Sequence, residues 1–104
     1  MLEFKVVNLV TKEFRSAFVA LNSDCQECLL GRSDTADLVL DSIDVSREHA
    51  KIMLSTQGYL IQDLNSKAGL YVNGVSVLAG QARLILVGDQ FQIGSFLLSV
   101  QALQ

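Results

Sequence analysis

No proline interrupts this chain, and it contains no low-complexity run and no convincing repeat, so no linker divides its 104 residues and one domain is the working count. Tryptophan is absent as well, but half of the residues are hydrophobic, which at this size allows a single continuous core. No apolar stretch reaches the roughly 18 residues that a membrane-spanning helix needs. The N-terminal MLEFKVVNLVTKEF lacks the charged-then-apolar order of a signal peptide. A soluble segment with no direct membrane insertion is expected. Positive charge is scarce: eight Lys and Arg face eleven Asp and Glu, a net charge of −3. That balance argues against a nucleic-acid partner, because nucleic-acid strands are held by a dense positive surface that releases counterions.

Cysteine and histidine are scarcer still. Cys25 and Cys28 are too few for a disulfide framework, so a reducing, cytoplasmic setting is the simpler expectation. Their spacing is that of a zinc or redox half-site, yet there is no second pair and no strand–helix context for a thioredoxin-like motif. Residues three apart on a strand face opposite ways, so one cysteine is expected to be packed and the other exposed or in a turn. His49 is the only histidine. Ser46 stands three residues before it, but not on the G-x-S-x-G turn of a hydrolase, and no nucleophile or paired carboxylate is spaced for catalysis. No enzyme activity, cofactor or metal site is expected.

What the chain does have is short apolar segments that end at turn residues, the pattern of strands and not of helices. Strands are expected near Glu3 to Val10, Phe14 to Leu21, Glu27 to Leu30, Leu38 to Leu40, Glu48 to Ser55 and Tyr59 to Leu64. Five more fall near Leu70 to Val72, Val75 to Leu78, Ala82 to Leu86, Gln90 to Ile93 and Ser95 to Val100. In HAKIMLS, Ala50, Ile52 and Leu54 alternate with His49, Lys51, Met53 and Ser55, so the first set can face a core. Thr56-Gln57-Gly58 makes a tight connection, and Asn73-Gly74 is the dipeptide favoured where both turn positions need positive φ. Such a series of about eleven strands describes an all-β sandwich of two antiparallel sheets. The longest irregular stretches are Arg32 to Asp37, Asp41 to Arg47 and Asn65 to Ala68. Binding groups belong there, because a rigid sandwich presents them on its end loops.

The loops carry Gly31-Arg32, then Ser46-Arg47-Glu48-His49, then DLNSKAGLYVNG from Asp63 to Gly74, then Gly88-Asp89 and Ile93-Gly94. Each piece alone is weak; the ordered set is specific. In this order the chain resembles the forkhead-associated (FHA) family over about two-thirds of its length. The resemblance implies an eleven-stranded sandwich whose loops at one end grip a phosphothreonine peptide. It also implies that this segment is one module of a longer protein.

The residue types suit that chemistry. A phosphate ester carries between one and two negative charges near neutral pH and three acceptor oxygens, which a guanidinium and hydroxyl donors satisfy. Taken alone, Arg32 is an ordinary strand-end cation, Ser46 an ordinary turn hydroxyl, and Lys67 a solvated loop charge. The resemblance assigns Arg32 and Ser46 to phosphate, and Arg47 to phosphate or peptide. Lys67 takes the place of a family threonine and adds a charge near the phosphate. Gly31 gives a sharp exit that aims Arg32, His49 braces the loops by hydrogen bonds, and Asn73 with Gly74 supports a turn and a neighbouring loop. Ala68 stands where the family has an asparagine that bonds the peptide main chain, so one orienting contact is lost. Asp34, Asp37, Asp41 and Asp44 lie in or beside the first two loops and would weaken anion capture wherever they face the ligand.

Two functions follow. One is a phosphothreonine-reading module that docks its parent protein on a phosphorylated partner. The other is a phosphate-independent assembly module, similar to the FHA-like domains of the type III secretion inner-membrane ring, with a membrane-anchored parent protein.

Overall fold

The computed structural model describes residues 1–103. Period-two alternation shows at once in the first strand, β1 (Leu2–Asn8), which buries Leu2, Phe4 and Val6 while Lys5 between them is exposed. Ten more strands follow: β2 (Phe14–Val19), β3 (Glu27–Gly31), β4 (Leu38–Val39), β5 (Ala50–Ser55), β6 (Gly58–Asp63), β7 (Leu70–Val72), β8 (Val75–Val77), β9 (Ala82–Leu84), β10 (Gln90–Ile93) and β11 (Phe96–Leu103). They form a six-stranded sheet in the order β2-β1-β11-β10-β7-β8 and a five-stranded sheet in the order β4-β3-β5-β6-β9. The expected all-β sandwich with eleven strands is what the chain adopts.

Between the sheets lie the buried side chains of both inner faces, with Phe4 against Phe91 at a centroid distance of 6.1 Å. Ala50 and Ile52 are fully buried, and Leu54 packs partly against the same core. Asn73 and Gly74 both take positive φ, 53° and 81°, as the hairpin between β7 and β8 requires.

Apart from shifts of one to three residues at several strand ends, two details differ from the sequence expectation. All strand pairs are antiparallel except β3 with β4, which run parallel through Leu30↔Leu38 and Gly31↔Val39. The Asp37 carboxylate accepts the Leu29 N–H at 2.7 Å, drawing the returning chain alongside β3. The strand expected from Glu48 begins only at Ala50. His49 stands just before it and is fully buried, covered by the loops it bonds to.

The two thiols part as expected. Cys28 on β3 is buried and Cys25 is exposed. Burial, reinforced by the nearby Asp37 carboxylate and Cys25, pushes the Cys28 thiol up to about 12. Since only the thiolate reacts, a thiol reagent at neutral pH should label Cys25 alone in the native protein and both thiols after unfolding. Equal native labelling rates would contradict the packing of β3.

Candidate functional site

The strand directions bring the end of β3, the start of β5 and the end of β6 to one end of the five-stranded sheet. Backbone bonds stitch the first two loops together there. Arg32 N–H donates to Ser46 O at 3.0 Å, Ser33 N–H to Arg47 O at 3.1 Å, and His49 N–H to Leu30 O at 2.9 Å. The fit is so close that a Cβ on residue 31 would stand 2.1 Å from the Arg47 carbonyl oxygen. Gly31 is therefore needed for this close approach; its φ is not in the positive region.

The third loop is held from below. The buried Asp63 carboxylate accepts the Ser66 N–H at 3.1 Å and the Ser66 hydroxyl at 2.5 Å. Ser66 Oγ in turn accepts the Gly69 N–H at 3.0 Å. His49 joins this loop to the second. Its Nδ1 accepts the Ser46 N–H at 3.1 Å, and its Nε2 lies 2.7 Å from Gly69 O. A carbonyl only accepts, so Nε2 carries the hydrogen and the ring is the neutral Nε2–H tautomer. A second tie follows from Ser46, whose Oγ accepts the Lys67 N–H at 3.0 Å.

Above these bonds opens a groove of about 630 Å³ lined by Arg32, Ile43, Asp44, Val45, Ser46, Arg47, Lys67 and Ala68. All four residues that the sequence assigned to binding, Arg32, Ser46, Arg47 and Lys67, thus share one cavity. Among the described residues Arg32 spends only Nε, donating to Val45 O at 3.0 Å, and its Nη groups have no protein acceptor there. The Ser46 O–H is likewise unspent among the described residues, because its oxygen only accepts. The one ion pair among the described residues is Lys51 with Glu27, at 3.0 Å. Arg32, Arg47 and Lys67 therefore line the groove without an ion-pair partner among the described residues.

Of the four loop carboxylates, Asp44 alone lines this cavity. It accepts the Ser42 hydroxyl at 2.6 Å and a short bond from the Ser95 hydroxyl. These bonds hold its carboxyl below the usual range. Asp37 is spent on Leu29, and Asp41 lines a separate crevice with Phe14 and Arg15. Asn73 and Gly74 are not at the groove. They lie at the far end of β7, where Asn73 donates to the Asp89 carboxylate at 2.9 Å and accepts the Gln90 N–H at 3.0 Å.

Hydrogen-bond donors and cations without an ion-pair partner among the described residues thus converge on one groove. The FHA domain family model matches residues 28–94, well over half of the chain. The chain belongs to the FHA family.

Over 66 residues this FHA chain is 37% identical to the glycogen accumulation regulator GarA of Mycobacterium tuberculosis, covering 64% of this chain and 39% of the relative. It is 32% identical over 88 residues to an oxoglutarate dehydrogenase inhibitor of Corynebacterium glutamicum, covering 85% and 59%. The chain thus spans about two-fifths to three-fifths of these curated relatives' lengths. The N-terminal FHA domain of Rad53p from S. cerevisiae, solved in complex with a phosphothreonine peptide, shares the fold at a TM-score of 0.79. That match is 20% identical and covers 98% of this chain and 94% of the other. FHA domains are interaction modules.

Sequence reasoning missed the supports of the groove. Asp44, read as a liability to anions, anchors the second loop to Ser95 in the opposite sheet's turn. Gly94 belongs to that anchor, since a Cβ there would meet Asp44 Oδ1 at 2.8 Å. No spacing rule links residues 51 positions apart. Asp63 and Ser66 lay inside the quoted motif, but their bond to each other is visible only in three dimensions.

Two measurements test this framework. Gly31→Ala forces the Arg47 carbonyl to move and is expected to cost about 1–3 kcal/mol or more in urea denaturation; unchanged stability would contradict the close approach. Asp44 is lowered in the folded state, so its contribution is fully present above the usual aspartate value and is lost as pH falls through the lowered one. The stability gap between wild type and Asp44→Asn should therefore be constant at neutral pH and close below about pH 4. A gap that widens on acidification would refute the assignment.

Proposed function

We propose that this FHA domain binds a phosphothreonine-bearing segment of a partner protein and so docks its parent protein on a kinase-modified target. The observation that carries this reading is the set of unspent donors converging on one groove: the Nη groups of Arg32, the O–H of Ser46, and the unpaired Arg47 and Lys67. A phosphothreonine offers three acceptor oxygens and about 1.5–2 negative charges. Each charge-assisted bond to it is worth roughly 1.5–3 kcal/mol. Arg32 and Ser46 take the phosphate, with Arg47 and Lys67 flanking it. Ile43, 99% exposed on the rim, offers an apolar contact to the peptide. A relative whose name makes it an enzyme inhibitor also acts on another protein.

Titration calorimetry with phosphothreonine peptides and their unphosphorylated forms tests the proposal. Arg32→Ala should remove the phosphate-dependent part of the affinity while costing only about 1 kcal/mol of stability, the worth of its bond to Val45 O. Ser46→Ala should weaken binding too and loosen the Lys67 loop. If peptides bind equally with and without phosphate, the domain is instead a phosphate-independent assembly module, such as one serving a membrane-associated secretion apparatus.

A further inference from the structure

Three of the four edge strands of the sandwich are short: β4 has two residues, β8 and β9 three each. The fourth, β2, offers six residues in unbroken register, with no proline. Natural edges are guarded against pairing with another chain by brevity, charge, bulges or proline. The one charged side chain of β2, Arg15, reaches to the other sheet and donates to Val39 O at 2.8 Å. The ladder fixes which backbone groups are spent. Asn8 N–H donates to Glu13 O at 2.9 Å, and alternation along the antiparallel register then turns the backbone groups of Arg15, Ala17 and Val19 towards β1. Those of Phe14, Ser16 and Phe18 point out along the free edge and have no partner among the described residues. The same three side chains lie on the outer face, because Ala17 and Val19 are buried between the sheets; Phe14 is 70% and Phe18 60% exposed.

This edge is symmetric in sequence. Phe14-Arg15-Ser16-Ala17-Phe18 carries a phenylalanine two residues to either side of a serine. We propose that β2 pairs antiparallel with β2 of a second copy of this chain, about a two-fold axis through Ser16. Such an interface is isologous: Ser16 meets its own counterpart, and Phe14 of each copy meets Phe18 of the other. Each pair exchanges two backbone hydrogen bonds, and the rings form two cross-strand aromatic contacts on the outer face. The charges match as well. Arg15 stands across from Ala17 and Glu13 across from Val19, so no like charges oppose one another. Lys5 lies over the Phe14 ring at 5.0 Å from its centroid, and Glu3 is the β1 neighbour of Phe18. Pairing Phe14 with Phe18 therefore draws Lys5 of one copy towards Glu3 of the other, on both sides of the axis. The four rings alone supply roughly 400–650 Å² of the about 1,200 Å² that a small specific interface buries. Because the paired strands run antiparallel, the two grooves open at opposite ends of the dimer, and the pairing does not depend on what the grooves bind.

The experiment is analytical ultracentrifugation of the 104-residue chain from micromolar to millimolar concentration. The average mass should rise from the 11.3 kDa of one copy towards twice that value. Phe14→Glu and Phe18→Lys each set an unpaired charge against a ring, and each should raise the dissociation constant by roughly tenfold or more. The double variant Phe14→Glu/Phe18→Lys sets Glu against Lys twice and should restore the dimer. Unchanged melting temperatures in dilute solution confirm that these exposed sites tolerate the changes. In a Cys25→Ser background, Ser16→Cys should cross-link on mild oxidation, since the Cα atoms of a hydrogen-bonded pair stand about 5.5 Å apart, within disulfide reach. A wild type that stays monomeric at millimolar concentration overturns the proposal, even if the edge captures a segment of another protein. A dimer that survives Phe18→Lys, that the double variant does not restore, or that Ser16→Cys does not cross-link overturns it too.

Discussion

The imidazole of His49 is the joint on which the binding end depends. It is fully buried, with the Ser46 N–H on one side and the Gly69 carbonyl on the other. Both neighbours belong to loops, and neither has a sheet ladder to fall back on. Removing the ring would leave a donor and an acceptor unpaired in a closed space, at about 1–3 kcal/mol each. The consequence for function is positional. Ser46 is set by this bond, and Ser46 in turn holds the Lys67 N–H, so a buried residue decides where two groove-lining residues stand.

Around that joint the second loop is held by two contacts of opposite character. Gly31 contributes by having no side chain, which lets the second loop lie against β3. Asp44 contributes a carboxylate that reaches across to Ser95 in the turn before β11. The first contact is steric and independent of pH; the second needs an ionised group. Both serve the same end, because the groove is a gap between loops and keeps its shape only if those loops cannot drift. The loops at this end are thus tied to one another and to both sheets.

Much of this was legible in the sequence, for identifiable reasons. Alternation in β1 and β5 dictates which side chains meet in the core, and Asn73-Gly74 dictates a turn, since both follow from neighbours in the chain. The resemblance also singled out Arg32, Ser46, Arg47 and Lys67, and the structure shows these four lining one groove. What the sequence hid were contacts between distant residues: Asp44 with Ser95, Asn73 with Asp89, and the approach of Arg47 O to Gly31. The parallel run of β4 was hidden likewise, because it depends on Asp37 capturing the Leu29 N–H. Asp44 and Asp37 looked alike as loop acids, and only their partners distinguish an anchor from a strand clip.

The same division of labour bears on how the groove works in a chain whose net charge is −3. Acidic residues outnumber basic ones overall, yet three cations, Arg32, Arg47 and Lys67, line the groove against the single carboxylate of Asp44, so the local charge there is positive. The scaffold bonds of Gly31, His49, Ser66 and Asp63 are short-range and lie within the loops, where salt has little effect on them. The ligand-facing charges are exposed, and salt screens such charges over about 10 Å at 0.1 M. Raising the ionic strength should then weaken ligand capture without unfolding the loops that make it. Shape and charge at this end are carried by different interactions: the bonds built on His49 fix the loops, while Arg32, Arg47 and Lys67 set the positive charge that the loops present.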